Sequence, residues 1–151
     1  MTCVLTGVQF NKRLILLNNM DKTKKILLVE DDPGFREAIK ESFENTEFTM
    51  ITAVDGEEGL TKIKEEQPDL VLLDILLPKM DGIEMAKKLK EAGIKVPVMY
   101  LTNVKDDGRI SDAMSVSGGD MDYIVKTDIR VEDIIDRIRR RLNLPPHQNE
   151  H

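Results

Sequence analysis

The chain has 151 residues, with 22 Lys or Arg against 28 Asp or Glu, a net charge of −6, 40% hydrophobic residues and 33% charged ones. That suffices for one domain with a full core and leaves no room for extensive disorder, while the acidity argues against bulk binding to nucleic acid or an anionic membrane and admits metal cations. The one cysteine, Cys3, excludes an internal disulfide and a cysteine zinc cluster and suits a reducing cytoplasm, and no apolar run reaches the roughly 18 residues of a membrane span.

Residues 1–21 show a period of neither 2 nor 3.6 and are read as an extension outside the fold. Residues 1–20 carry Lys12 and Arg13 but no acid. From residue 22 the pattern alternates. The run KILLV (25–29) reads as a buried strand. Asp32-Pro33 opens a helix over 33–45, with Asp as N-cap and Pro at the first helical position; Phe35, Ala38, Ile39 and Phe43 form its apolar stripe. FTMITA (48–53) is a second strand, followed by a helix over 56–65 with Leu60 and Ile63 inward. DLVLL (69–73) is a third strand, and 82–91 an amphipathic helix ended by Gly93. VPVMYL (96–101) is a fourth strand. A weaker helix over 106–116 is stopped by Gly118-Gly119, and a fifth strand covers 121–125. The last helix, 131–142, puts Ile134, Ile135, Ile138 and Leu142 on one face. Arg137, Arg139, Arg140 and Arg141 lie near its C-terminus, where cations suit the macrodipole, as a solvated face or a partner surface. Pro145-Pro146 end it, and 144–151 is expected to be a disordered tail.

Five strands alternating with five helices make an α/β domain. Nearly continuous apolar strands imply a parallel sheet covered on both faces, and right-handed crossovers place helices on both sides. In such sheets the functional crevice lies at the carboxyl ends of the strands. Glu30, Asp31 and Asp32 follow the first strand, Asp74 the third, Thr102 the fourth and Lys126 the fifth. The second ends at Ala53-Val54 with nothing reactive, as suits an edge in the order 2-1-3-4-5. Clustered carboxylates repel one another, and a hard divalent cation such as Mg2+ relieves this with carboxylate, carbonyl and water oxygens. Asp74 is a candidate nucleophile, since carboxylates form acyl phosphates. Lys126 and the Thr102 hydroxyl can bind phosphoryl oxygens. Metal, lysine and hydroxyl together would neutralise a transferring phosphoryl group.

The strings ILLVEDDP (26–33), DLVLLDILLPKMDG (69–82), VPVMYLTN (96–103) and DYIVK (122–126) resemble the receiver domain of two-component response regulators, over about 22–143. The chain looks like a stand-alone, chemotaxis-regulator-like member. The resemblance implies a flavodoxin-like sheet and names Asp74 as the phosphoacceptor. Asp31 would ligate Mg2+ (or Mn2+) directly and Glu30 through water, with Asp74 and the backbone carbonyl of Leu76 as further ligands. Lys126 matches the family's lysine, Thr102 its switch hydroxyl and Tyr123 its switch aromatic; Asp32 is assigned to capping alone. Pro78 and Gly82 match the loop after the third strand. The expected partners are a histidine kinase or phosphotransfer protein and a downstream effector protein, with no direct nucleic-acid or membrane contact. Only nine residues follow Leu142, so no output domain is expected in this chain.

Departures from the pattern are informative. Thr127 follows Lys126 where the family has Pro after a cis bond, and a cis bond before a non-proline costs about 2.5–4 kcal/mol, so the loop aiming Lys126 differs. Asn103 and Asp120 stand where small residues are usual. The same resemblance implies that Leu76 and Val104 would flank the approach of a hydrolytic water; neither can hydrogen-bond through its side chain, so self-dephosphorylation is expected to be slow. The chain is read as a signalling protein rather than an enzyme with an external substrate. A flavodoxin would need a hydroxyl- and glycine-rich loop where this chain has EDDPG, whose acids repel a phosphate. A receiver-like scaffold that never turns over phosphate would normally have lost Asp74 or Lys126.

Overall fold

The computed structural model describes residues 24–103, 107–118 and 122–146. The expected extension over 1–21, together with Val104, Asp120 and the end of the tail from 147, lies outside the described residues. The elements run in strict alternation: β1 (Lys24–Val29), α1 (Pro33–Phe43), β2 (Phe48–Ala53), α2 (Gly56–Glu66), β3 (Leu70–Asp74), α3 (Gly82–Glu91), β4 (Val98–Thr102), α4 (Asp107–Ser117), β5 (Asp122–Val125) and α5 (Val131–Arg141). The five strands form one parallel sheet in the order β2-β1-β3-β4-β5, as the sequence implies.

Each strand divides its side chains between two cores, because neighbours along a strand point to opposite faces. Ile26, Leu28, Leu70, Leu72, Met99, Leu101 and Ile124 pack with Ile39 and Phe43 of α1 and Ile134 and Ile138 of α5. Leu27, Val29, Val71, Leu73 and Tyr100 face the other way, onto Ile63 of α2, Met85 and Leu89 of α3 and Ala113 of α4. That is why β1 and β3 read as continuous apolar runs.

Local chemistry sets the element ends. Asp32 caps α1 by accepting the Phe35 amide at 2.7 Å, Asp55 caps α2 through the Glu58 amide at 2.9 Å, and Asp81 caps α3 through the Glu84 amide at 2.8 Å. Gly93 and Gly118 take the positive φ of 70° that ends α3 and α4. Asp69, expected to open β3, stays outside it and accepts the Lys25 amide on its carboxylate at 2.8 Å. β4 starts at Val98 rather than at 96; the Pro97 carbonyl still accepts the Val71 amide at 2.9 Å. α1 ends at Phe43, short of 45, where the Thr46 hydroxyl donates to the Phe43 carbonyl at 2.7 Å.

Three side-chain expectations change. Ala38 is exposed rather than part of the α1 stripe, which runs through Phe35, Ile39 and Phe43. Leu144, assigned to the tail, donates its amide to the Arg139 carbonyl at 2.8 Å and packs on the α1/α5 core. Arg139 is neither solvated nor available to a partner. It is 8% exposed, donates to the Glu47 carboxylate at 2.6 Å, and lies over the Phe48 ring at 5.8 Å. It ties α5 to the start of β2. Arg139→Ala is expected to cost about 2 kcal/mol through the lost charge-assisted bond and stem packing, read from urea unfolding. Glu47→Gln, which keeps the contact in neutral form, is expected to cost less.

Candidate functional site

The register brings the strand ends together. Val29 pairs with Leu73 and Asp74 with Leu101, so Glu30 and Asp74 sit side by side and Thr102 one step further along β4. Thr102 pairs with Val125, and its carbonyl accepts the Lys126 amide at 2.8 Å. Four strands thus deliver two carboxylates, a hydroxyl and an ammonium to one end of the sheet. Glu30, Asp74 and Thr102 are buried at 0%, 4% and 3% exposure; Asp31 and Asp32 are exposed.

Lys126 bridges the buried acids. Its Nζ donates to Glu30 Oε2 and, at 2.8 Å, to Asp74 Oδ2. The remaining oxygens are also occupied: Glu30 Oε1 accepts the Asp32 amide and Asp74 Oδ1 the Leu76 amide, each at 3.0 Å. Burial pushes the Glu30 carboxyl above its ordinary value against the pull of Lys126. Burial works to lower the Lys126 value, but the hydrogen bonds and charges of Asp74 and Glu30 outweigh it and hold the ammonium charged.

Glu30, Asp31 and Asp74 each offer a carboxylate oxygen, and these atoms lie within 4.8 Å of one another. All-oxygen donors suit a hard cation, and exposed Asp31 gives it an open side, so the donor set fits a divalent ion. Leu76, whose carbonyl was assigned to the same ligand set, is 44% exposed in the loop beyond Asp74. That loop folds back tightly: the Gly82 amide donates to the Ile75 carbonyl at 2.9 Å. A Cβ at Gly82 would collide with the Asp74 carbonyl oxygen and lie 3.0 Å from its carbon. The glycine is required here for close approach.

Tyr123 does not join this pocket. It stands on β5 at 39% exposure, its carbonyl accepting Arg137 Nη1 at 3.0 Å. Asn103 is exposed. No cis peptide occurs among the described residues, so the Lys126–Thr127 bond is trans. Two contributors escape sequence reasoning. Arg36 donates to the carbonyls of Glu30 at 2.9 Å and Asp31 at 3.3 Å, fixing the acidic turn. Arg109 of α4 pairs with the Asp81 carboxylate at 3.2 Å, tying α4 to the loop after β3. A basic residue one turn into the helix that follows the acids is the signal that could have flagged Arg36; Arg109 offers none, being 28 residues from its partner.

The model of the response regulator receiver domain family matches residues 26–139. The chain is 39% identical over 103 residues to the alkaline phosphatase synthesis transcriptional regulatory protein PhoP of Bacillus subtilis, covering 68% of this chain and 42% of that one. It is also similar to the CheY-like response regulator receiver domain protein from Methanospirillum hungatei, with 28% identity, a TM-score of 0.71 and coverage of 81% and 95%. The BeF3-activated N-terminal receiver domain of Klebsiella pneumoniae RstA is a third likeness, at 27% identity, TM-score 0.70 and coverage of 79% and 98%. The chain spans about half the length of the curated relatives it matches. No helix among the described residues is long and apolar enough to cross a membrane.

Proposed function

The chain belongs to the response regulator receiver domain family, a family of signalling domains, and from that premise we propose that it accepts a phosphoryl group on Asp74 and relays it as a change of surface. The observation that carries this reading is the convergence of Glu30, Asp31, Asp74 and Lys126 at one end of the sheet. We assign the receiver unit to 22–143, with 1–21 and 144–151 flanking it. The donor would be the phosphohistidine of a histidine kinase or phosphotransfer protein in the cytoplasm. The P–N bond breaks as an Asp74 oxygen bonds to phosphorus. Effector binding is assigned to another protein or to a segment beyond this chain.

Each residue has a distinct task. Asp31 and Asp74 would hold Mg2+ directly and Glu30 through water, with the Leu76 carbonyl completing the protein's share of the ligands. That ion, when bound, neutralises phosphoryl oxygens and aligns them for transfer. Lys126 already donates to Asp74 and turns to a phosphoryl oxygen as charge accumulates there. Thr102 binds a phosphoryl oxygen only in the phosphorylated state, so it can bias a two-state equilibrium. Tyr123 follows it, remodelling the face of α4, β5 and α5. Leu76, apolar beside the acceptor, cannot orient a hydrolytic water, which favours slow self-dephosphorylation.

The test of this reading is uptake of labelled phosphate from acetyl phosphate in Mg2+: wild type is expected to label and Asp74→Asn not to, and equal labelling of both would overturn it. The metal assignment has its own measurement. Asp31→Ala is expected to weaken Mg2+ binding about tenfold or more, since a direct carboxylate ligand is lost, and Glu30→Ala less. Equal affinities of wild type and Asp31→Ala by titration calorimetry would remove Asp31 from the ligand set.

A further inference from the structure

The Phe35 ring lies under the Lys126 ammonium, with Nζ 4.5 Å from the ring centroid. We propose that Phe35 is a positioning residue for Lys126, holding the ammonium where Asp74 takes up phosphate; the inference rests on the phosphoacceptor reading above. Lysine is a point charge on a flexible four-carbon stem, and here it must be aimed without the proline turn that Thr127 replaces. Its two bonded partners, Glu30 and Asp74, are both in the proposed metal set, so both are drawn toward the ion when it binds. Phe35 is the neighbour that stays. Its amide is fixed by Asp32 at 2.7 Å, and its ring packs against the α1/α5 core.

The geometry has the strength to matter. A cation within about 6 Å of a ring centroid is attracted by the ring's negative face, most strongly where both are desolvated. The Lys126 side chain is 6% exposed, and the half-buried ring screens its outer side. The ring also joins the end of β5 to the first turn of α1, the helix that follows β1, with β3 and β4 lying between those two strands in the sheet. An aliphatic residue here could fill the space but could not attract the charge, and misplacement of a catalytic group by about 1 Å can cost on the order of a hundredfold in rate.

Two readouts on wild type, Phe35→Leu and Phe35→Tyr test this. NMR of the Lys126 ε-methylene protons reports the ring directly: they are expected upfield in wild type and Phe35→Tyr, and at ordinary positions in Phe35→Leu. The rate of Asp74 phosphorylation by acetyl phosphate at saturating Mg2+ is expected to fall about tenfold in Phe35→Leu, with Phe35→Tyr restoring it to within about twofold. Phe35→Leu at the wild-type rate, or Phe35→Tyr as slow as Phe35→Leu, would overturn the proposal. An unshifted Lys126 methylene in wild type would overturn it whatever the rates. No uptake by wild type would overturn the phosphoacceptor reading and this one with it, and is told apart because the methylene shift would still be in place.

Discussion

Gly82→Ala is expected to destabilise the protein by about 3 kcal/mol and to displace Asp74. The added methyl would meet the Asp74 carbonyl oxygen, its carbon at 3.0 Å and the Ile75 Cα at 3.1 Å. All three are backbone atoms at the end of a buried strand, so none can swing away as the tip of a side chain would. Overpacking of this kind costs about 1–3 kcal/mol, occasionally more, and alanine's better helix propensity at the start of α3 returns less than about 1 kcal/mol. Relief requires the loop from Ile75 to Asp81 to lift, which breaks the Gly82–Ile75 hydrogen bond and moves Leu76 off Asp74 Oδ1. Urea unfolding and Mg2+ affinity are both expected to fall. Gly34→Ala is the matched control: its Cβ would lie 3.3 Å from a carboxylate oxygen of Asp32, a side-chain atom that can yield. If the two alanines prove equally mild, the close approach at Gly82 is not what shapes the site.

Lys126→Met has the second large effect. It leaves Glu30 and Asp74 buried beside each other with no counter-charge. Removing one partner from a buried ionic cluster costs about 3–5 kcal/mol, because the remaining charge is uncompensated. The pH dependence follows from Glu30, whose folded value burial already raises above 4.5. Below 4.5 the carboxyl is neutral in both folded and unfolded chains and carries no penalty. As pH rises from 4.5 toward the raised folded value, the unfolded chain ionises while the folded one stays protonated, so stability falls until the folded carboxyl ionises too. The variant is expected to be near wild type in acid and much weaker near neutrality, by urea unfolding in the absence of metal. Saturating Mg2+ is expected to restore more stability to the variant than to wild type, since only the folded state assembles the site. A pH-independent loss would mean that lost packing of the lysine stem, rather than carboxylate repulsion, sets the cost.

The fold was legible because its signals are redundant. The runs 26–29 in β1 and 70–73 in β3 are apolar without a break, as a sheet covered on both faces requires, and Asp32-Pro33 marks the start of α1. Helix and strand limits shifted by a residue or two where a side chain took over a backbone role, as at Asp69 and Thr46. The site was legible where topology alone brings residues together: Glu30, Asp74, Thr102 and Lys126 follow strands that the order places side by side. What remained hidden depends on side-chain reach over long separations. Phe35 reads as core and does pack there, but its second contact, with Lys126 beyond β5, is not written in the spacing. Arg139 stood in a run of arginines that looks solvated, and only the position of Glu47 across the fold explains its burial. Ala38 lies on the margin of its stripe, where spacing alone cannot separate inward from outward.

The central claim is that Asp74 is the residue phosphorylated. The most direct measurement is reductive trapping: incubation with acetyl phosphate and Mg2+, reduction with borohydride, and tandem mass spectrometry of the digested chain. Borohydride converts an aspartyl phosphate to homoserine. The account requires homoserine at position 74, absent without acetyl phosphate and absent in Asp74→Asn. Homoserine at Asp31 or Asp32, or at no position although phosphate is bound, would contradict it.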